Sequence, residues 1–158
     1  MTLTIILMAK YLIILPALLA GYVLYRLAPS GRKRMLVVSV ISLPLAYIIA
    51  KMGSYFYFDV RPFVVGNITP LIPHAADNGF PSDHTLLAAA LAGVTFLFDR
   101  RLGLLSLACA ILIGAARMLA HVHHGVDIAG SMLIAGASVW LTAIVLERLA
   151  FPKNEAHS

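Results

Sequence analysis

Five long apolar runs divide this chain, at roughly residues 3 to 27, 35 to 58, 84 to 98, 102 to 121 and 126 to 150, each bounded by charge or by Gly and Pro. Such runs leave few folds open. In lipid the backbone has no water to bond with, so a crossing segment must satisfy itself as a helix or close into a barrel. The period-two alternation of barrel strands is missing. The expectation is an all-α integral membrane bundle of about five transmembrane helices. Composition agrees, since 61% of the 158 residues are hydrophobic and 12% charged, about half the charged share of a soluble domain. Five crossings of about 20 residues use nearly all the apolar content. One membrane-embedded domain, 1–158, is therefore expected, with no separate soluble domain. The opening run lacks a basic flank and reads as a retained anchor rather than a cleaved signal peptide. The lone Cys109 rules out an internal disulfide and reads as a small buried filler.

Cations give an expected orientation, because cytoplasmic loops are enriched in Lys and Arg. Arg26, Arg32, Lys33 and Arg34 join the first two runs, Arg100 and Arg101 join the third and fourth, and Arg148 and Lys153 follow the fifth. All fall on one side. That side is expected to be the cytoplasm of an inner, cytoplasmic-type membrane, with the N-terminus outside and the C-terminus inside. Lys10 reads as a side chain snorkelling toward the outer interface. Lys51, Arg61 and Arg117 sit at outer helix ends, where the positive-inside tendency does not put them. The only long connection, residues 59 to 83, lies on the same outer face, and loops of this length are usually functional or disordered. The net charge of +5 comes without any basic stripe interleaved with aromatics, so no nucleic-acid partner is expected.

Three polar clusters occupy that face: Arg61-Pro62, then Pro81-Ser82-Asp83-His84, then Arg117 with His121, His123, His124 and Asp127. His123 and Asp127 are four residues apart, within reach of each other on a helix. A carboxylate there can accept the Nδ1 proton and leave Nε2 free as a nucleophile or base. Ser82 is placed to cap the third helix, whose free backbone N–H groups would then face outward and favour an anion. It is equally readable as a cap and nothing more. His84, just inside that helix, is placed to give a proton to a leaving oxygen.

The stretches KMGSYFYFDVRP, PSDH and RMLAHVHHGVD resemble, in order, the three signature motifs of the type-2 phosphatidic-acid phosphatase superfamily, membrane lipid phosphatases related to vanadium haloperoxidases. The resemblance spans residues 51 to 127. It implies His123 as a nucleophile that forms a phosphohistidine, Asp127 as its orienting partner, and His84 as general acid and later base. Arg61, Arg117 and Lys51 would hold phosphate oxygens, helped by Ser82 and the backbone amide of Asp83. The chemistry calls for neither metal nor cofactor, since guanidinium donors and a helix start can stabilise the charge that spreads over a transferring phosphoryl group. The implied partner is a lipid phosphate or diphosphate in the bilayer.

Two positions depart from the family pattern. Nine residues separate Lys51 from Arg61, three more than is usual there, which moves the lysine by about 4.5 Å along a helix. It reads either as a phosphate ligand or as a lysine snorkelling or paired in the bundle. Asp83 replaces the usual glycine, and a carboxylate beside phosphate is repulsive unless a cation such as Arg61 or Lys51 pairs with it. The Pro-Ser-Asp-His form resembles the branch that dephosphorylates prenyl diphosphates. This makes undecaprenyl diphosphate the first choice of substrate and phosphatidylglycerophosphate or phosphatidic acid the second, with phosphotransfer between lipids open. One rival is a metal site on the His121, His123, His124 run, whose spacing suits a shared helix face poorly. Another is a catalytically silent lipid-binding protein. His121 and His124 read as packing or loop residues, His74 and His157 as solvated, and Trp140 and Met132 as lipid-facing or core.

Overall fold

The computed structural model describes residues 2–149, so Lys153 and His157 lie outside the described residues. Its helices are α1 (Thr2–Tyr11), α2 (Ile14–Arg26), α3 (Pro29–Phe56), the single turn α4 (Pro62–Val65), α5 (Asp83–Phe98), α6 (Arg100–Leu119) and α7 (Gly125–Leu149). Among the described residues there is no strand, only an isolated bridge between Val60 and Asn78.

The expected first run is two helices inclined by 41°. Pro16 explains the break. It offers no N–H to the carbonyl of Leu12 and its ring crowds that group, so the chain tightens there and the Leu15 amide donates to Leu12 O at 3.0 Å. α3 starts at Pro29, ahead of the expected residue 35, so Arg32, Lys33 and Arg34 belong to its first turns. The all-α membrane bundle stands, while the exact count of five crossings is not confirmed. Among the described residues three helices, α3, α6 and α7, are by length and composition apolar enough to cross a membrane, and the bent α1–α2 pair makes a fourth if taken as one span. α5, at 16 residues, is shorter than a span.

α5 packs against α2, α3, α6 and α7, and its buried face is mostly small: Ala88, Ala89, Ala90 and Ala92 with Val94 and Thr95. Small residues let backbones approach closely where lipid gives helices no hydrophobic reason to pair. At Gly114 a Cβ would run into the Ile128 side chain, and at Gly130 into the Phe80 ring. Thr95, Ser138 and Thr142 return their hydroxyls to carbonyls one turn back, which satisfies them inside the bundle. Asp99 caps α6 by accepting from the Leu102 amide at 3.0 Å, so α5 and α6 turn on a single residue.

The C-terminal ends of α3 and α6 meet the N-terminal ends of α5 and α7 at one end of the bundle. Residues 57–82 lie over that end. A small apolar cluster of Ala9, Ile72, Ala116, Ala120 and Val122 fastens the segment to α1 and α6. At and just after the end of α3, Tyr55, Phe56 and Phe58 are exposed, as aromatics at a membrane interface are.

Candidate active site

Asn78 holds the long segment in place. Its Oδ1 accepts from the amides of Asp59 and Phe80, at 2.9 and 3.0 Å, and its Nδ2 donates to the carbonyls of Ser54 and Tyr57, both at 2.9 Å. With the Gly79 amide donating to Asp59 O at 2.8 Å, residues 59 and 79 are locked side by side. Arg61 therefore enters the site from a fixed backbone. Its Nε donates to Asp77 Oδ1 at 2.8 Å, Nη1 to Val122 O at 2.7 Å and Nη2 to Asn78 O at 3.1 Å, and it is 4% exposed.

The end of α6 delivers the next residues. The His121 amide donates to Met118 O and the Val122 amide to Arg117 O, with His121 at φ 62°. This is the 5→2 and 6→1 pairing that closes a helix through a left-handed residue. The reversal carries His123 back beside Arg117. Asp127, in the first turn of α7, accepts from the His124 amide at 2.8 Å, the backward reach of a capping carboxylate.

His123 is buried, and its two ring nitrogens face different partners. Nδ1 lies 2.9 Å from Gly79 O and 3.3 Å from Asp127 Oδ2. A carbonyl only accepts, so Nδ1 carries the proton and donates to it. Nε2 then presents a lone pair to Arg61 Nη1 at 3.4 Å and Arg117 Nη2 at 3.3 Å. Burial holds the His123 pKa below the ordinary histidine value against the Asp127 hydrogen bond, and the Arg117 and Arg61 charges add to the lowering. A neutral imidazole flanked by two cations can attack an electrophile whose oxygens those cations hold.

These groups line a cavity of about 220 Å³ shared by Arg61, Arg117, His123, His84, Asp83 and Lys51. The three separated motifs thus converge on one space, with Asp127 just behind it. Ser82 departs from expectation. It precedes α5 but forms no capping bond, is wholly buried, and its Oγ accepts from Thr85 Oγ1 at 3.2 Å rather than facing the cavity. The expected pairing of Asp83 with Arg61 or Lys51 is also absent among the described residues, because Arg61 is held by Asp77 instead. Lys51 lines the cavity and places its ammonium 5.1 Å from the centre of the Tyr47 ring.

Sequence reasoning missed several residues here. His74, read as solvated, lines the cavity, with Nε2 3.1 Å from Arg117 Nη2. Asp77, Asn78 and the Gly79 carbonyl belong to the same wall. The signal lay in HAADNG, a dense polar stretch in the one long connection. His124 is bound to Asp59, Nδ1 to Oδ2 at 2.7 Å. The side chains of the His121, His123, His124 run diverge. Among the described residues, the ligand-type atoms that gather within 4.8 Å of one another are those of Asp59, His124 and Asp127, already joined by the hydrogen bonds above.

The family model of the PAP2 superfamily matches residues 34–150. The bacitracin transport permease protein BcrC of Bacillus licheniformis is 32% identical over 146 residues, covering 91% of this chain and 71% of that protein. The undecaprenyl-diphosphatase BcrC of Bacillus subtilis is 35% identical over 109 residues, covering 67% of this chain and 54% of that protein. The lipid A 1-phosphatase of Rhizobium etli is 33% identical over 82 residues, covering 52% of this chain and 35% of that protein.

Proposed function

The chain belongs to the PAP2 superfamily and is a membrane lipid phosphatase, and from that premise we propose that it hydrolyses undecaprenyl diphosphate to undecaprenyl phosphate through a phosphohistidine on His123. The observation that carries this reading is the His123 ring: Nδ1 donates backward to Gly79 O, and Nε2 faces the cavity between two guanidinium groups. The terminal phosphorus approaches Nε2, with its oxygens on Arg61, Arg117 and the backbone amides that open α5. Arg117 Nε, buried and without a hydrogen-bond partner, is a further donor for that charge. The P–N bond forms as the P–O bond to the lipid phosphate breaks, and His84 gives its proton to the departing oxygen. Water then attacks the phosphohistidine. His84 takes its proton, the P–N bond breaks, and phosphate leaves. Asp127 and Gly79 O keep the His123 ring aimed throughout. Lys51 acts as a long-range cation at the cavity edge, and Ser82 as buried support for the turn that carries Asp83 and His84.

A site at this end of the bundle suits a lipid headgroup. α5 at 16 residues rises about 24 Å, short of the roughly 30 Å apolar core of a bilayer, so its start lies beneath the rim rather than in bulk water. The cation distribution favours an orientation with this end outside a cytoplasmic membrane, the N-terminus out and the C-terminus in, and the expected single membrane domain suits that reading. The test is a panel of lipid phosphates offered to the purified protein in detergent, with phosphate release followed with and without chelator. The reading expects the prenyl diphosphate to be turned over fastest and chelation to leave the rate unchanged. Preference for phosphatidylglycerophosphate or phosphatidic acid, or transfer to an acceptor lipid, would move the assignment within lipid phosphatases. No release from any lipid would favour a silent lipid-binding protein.

A further inference from the structure

Arg61 and Arg117 face the same lone pair but are anchored differently. Arg61 has a carboxylate, Asp77, and two backbone carbonyls. Among the described residues Arg117 has no carboxylate partner. Its Nη1 reaches Ala9 O only at 3.4 Å, its Nε is unpartnered, and its contact with His123 Nε2 must be released when that nitrogen attacks. Of the two contacts that then remain, the shorter is to His74 Nε2, at 3.1 Å from Nη2. Arginine only donates, so this contact fixes the His74 proton on Nδ1 and makes Nε2 an acceptor. The His74 ring stands edge-on to that of His123, centroids 5.9 Å apart at 82°.

We propose that His74 is the positioning residue for Arg117, a neutral acceptor that holds one N–H of the guanidinium in place while the remaining N–H groups go to the phosphoryl oxygens. A carboxylate in this position would anchor the arginine equally well but would cancel the charge the phosphoryl group needs. An uncharged imidazole anchors it and leaves that charge whole. The groups facing His74 are Arg61 from its own loop, Arg117 from α6 and His123 from the α6–α7 turn, with Asp77 exposed nearby. Burial and the two arginines push its pKa down to about 4, so it remains an acceptor throughout the neutral range.

The inference rests on the phosphatase reading, and the experiment separates the two. Phosphate release from the prenyl diphosphate is measured for the full-length protein and for His74→Leu, His74→Ala, His74→Gln and His123→Ala, each checked for thermal stability. His74→Leu is expected to lose about 100-fold in kcat/KM, mostly in kcat, as a misplaced catalytic group does. His74→Ala gives the same reading if the leucine variant does not fold. Gln, which offers an oxygen near the Nε2 position, is expected to recover to within about tenfold and to leave the profile unchanged from about pH 5 to 9, since no proton transfer is assigned to His74. A stable leucine or alanine variant with wild-type kinetics, or a glutamine variant as impaired as the alanine one, overturns the inference alone. A wild type that releases no phosphate from the prenyl diphosphate or any other lipid of the panel, or an active His123→Ala, overturns the phosphatase reading and this inference with it.

Discussion

At the scale of single residues the account turns on one ring. The shorter bond from His123 Nδ1 runs to Gly79 O, at 2.9 Å against 3.3 Å to Asp127, so a backbone carbonyl selects the tautomer and Asp127 assists. Asp127→Asn should therefore lower kcat by about 10- to 100-fold, well short of the roughly 10⁴-fold loss seen where a carboxylate alone fixes the ring. Steady-state kinetics of the purified variant checks it, and a 10⁴-fold loss would return the tautomer to Asp127. The pH profile follows by sign. His123 attacks only when neutral, its pKa is lowered, and it is neutral above that value, so the acid limb of kcat/KM should lie below the ordinary histidine value of about 6.5. A limb above 6.5, measured with stable protein, would contradict this. The pairing of His123 with Asp127 was readable because both sit on one local spacing. The Gly79 carbonyl was not, since a backbone group contributed from 44 residues away has no residue type to mark it.

The elements explain why these side chains meet. Two devices aim them: the left-handed turn at His121 that ends α6, and the contact of Phe80 with Gly130 that seats the start of α5 against α7. A side chain in the left-handed region costs roughly 1–2 kcal/mol, and His121 is exposed and does not line the cavity, so His121→Gly should keep activity and raise thermal stability slightly. An inactive, stable His121→Gly protein would show that its imidazole acts in the site. Gly130→Leu should do the opposite, because the new side chain occupies the place of the Phe80 ring. Displacing the turn before His84 by about 1 Å is enough to cost roughly 100-fold in rate. Wild-type turnover by that variant would show that Phe80 does not position His84. The helices themselves were legible from their apolar runs, with α5 beginning at the Ser82-Asp83 signal. The break at Pro16 was visible as a residue but hidden inside a continuous run. Ser82 forms no cap bond, and its Oγ accepts from the Thr85 hydroxyl instead, a tertiary detail that the local motif does not mark.

Across the whole molecule, the membrane and the site are one argument. Apolar side chains cover much of the outside of the bundle, and the polar groups of the site gather at one end, where Tyr55, Phe56 and Phe58 are exposed. If that end faces outward, a cysteine introduced at Asn67 in the long segment should react with an impermeant thiol reagent in intact cells, and one at Ser30, beside the basic cluster, should not. Cys109 is buried and gives little background. The reverse pattern would invert the topology. Charge gives an expected orientation, which this labelling tests, whereas the wall formed by His74, Asp77 and Asn78 emerges only when residues 57–82 fold over the helix ends, a placement set by long-range hydrogen bonds. The most direct measurement is rapid acid-free quenching of the protein during turnover of a lipid diphosphate, followed by peptide mass spectrometry. The account predicts a phosphoryl group on His123 that is stable to base, labile to acid and missing in His123→Ala. Turnover with no phosphorylated histidine, or with the phosphoryl group on another residue, would contradict it.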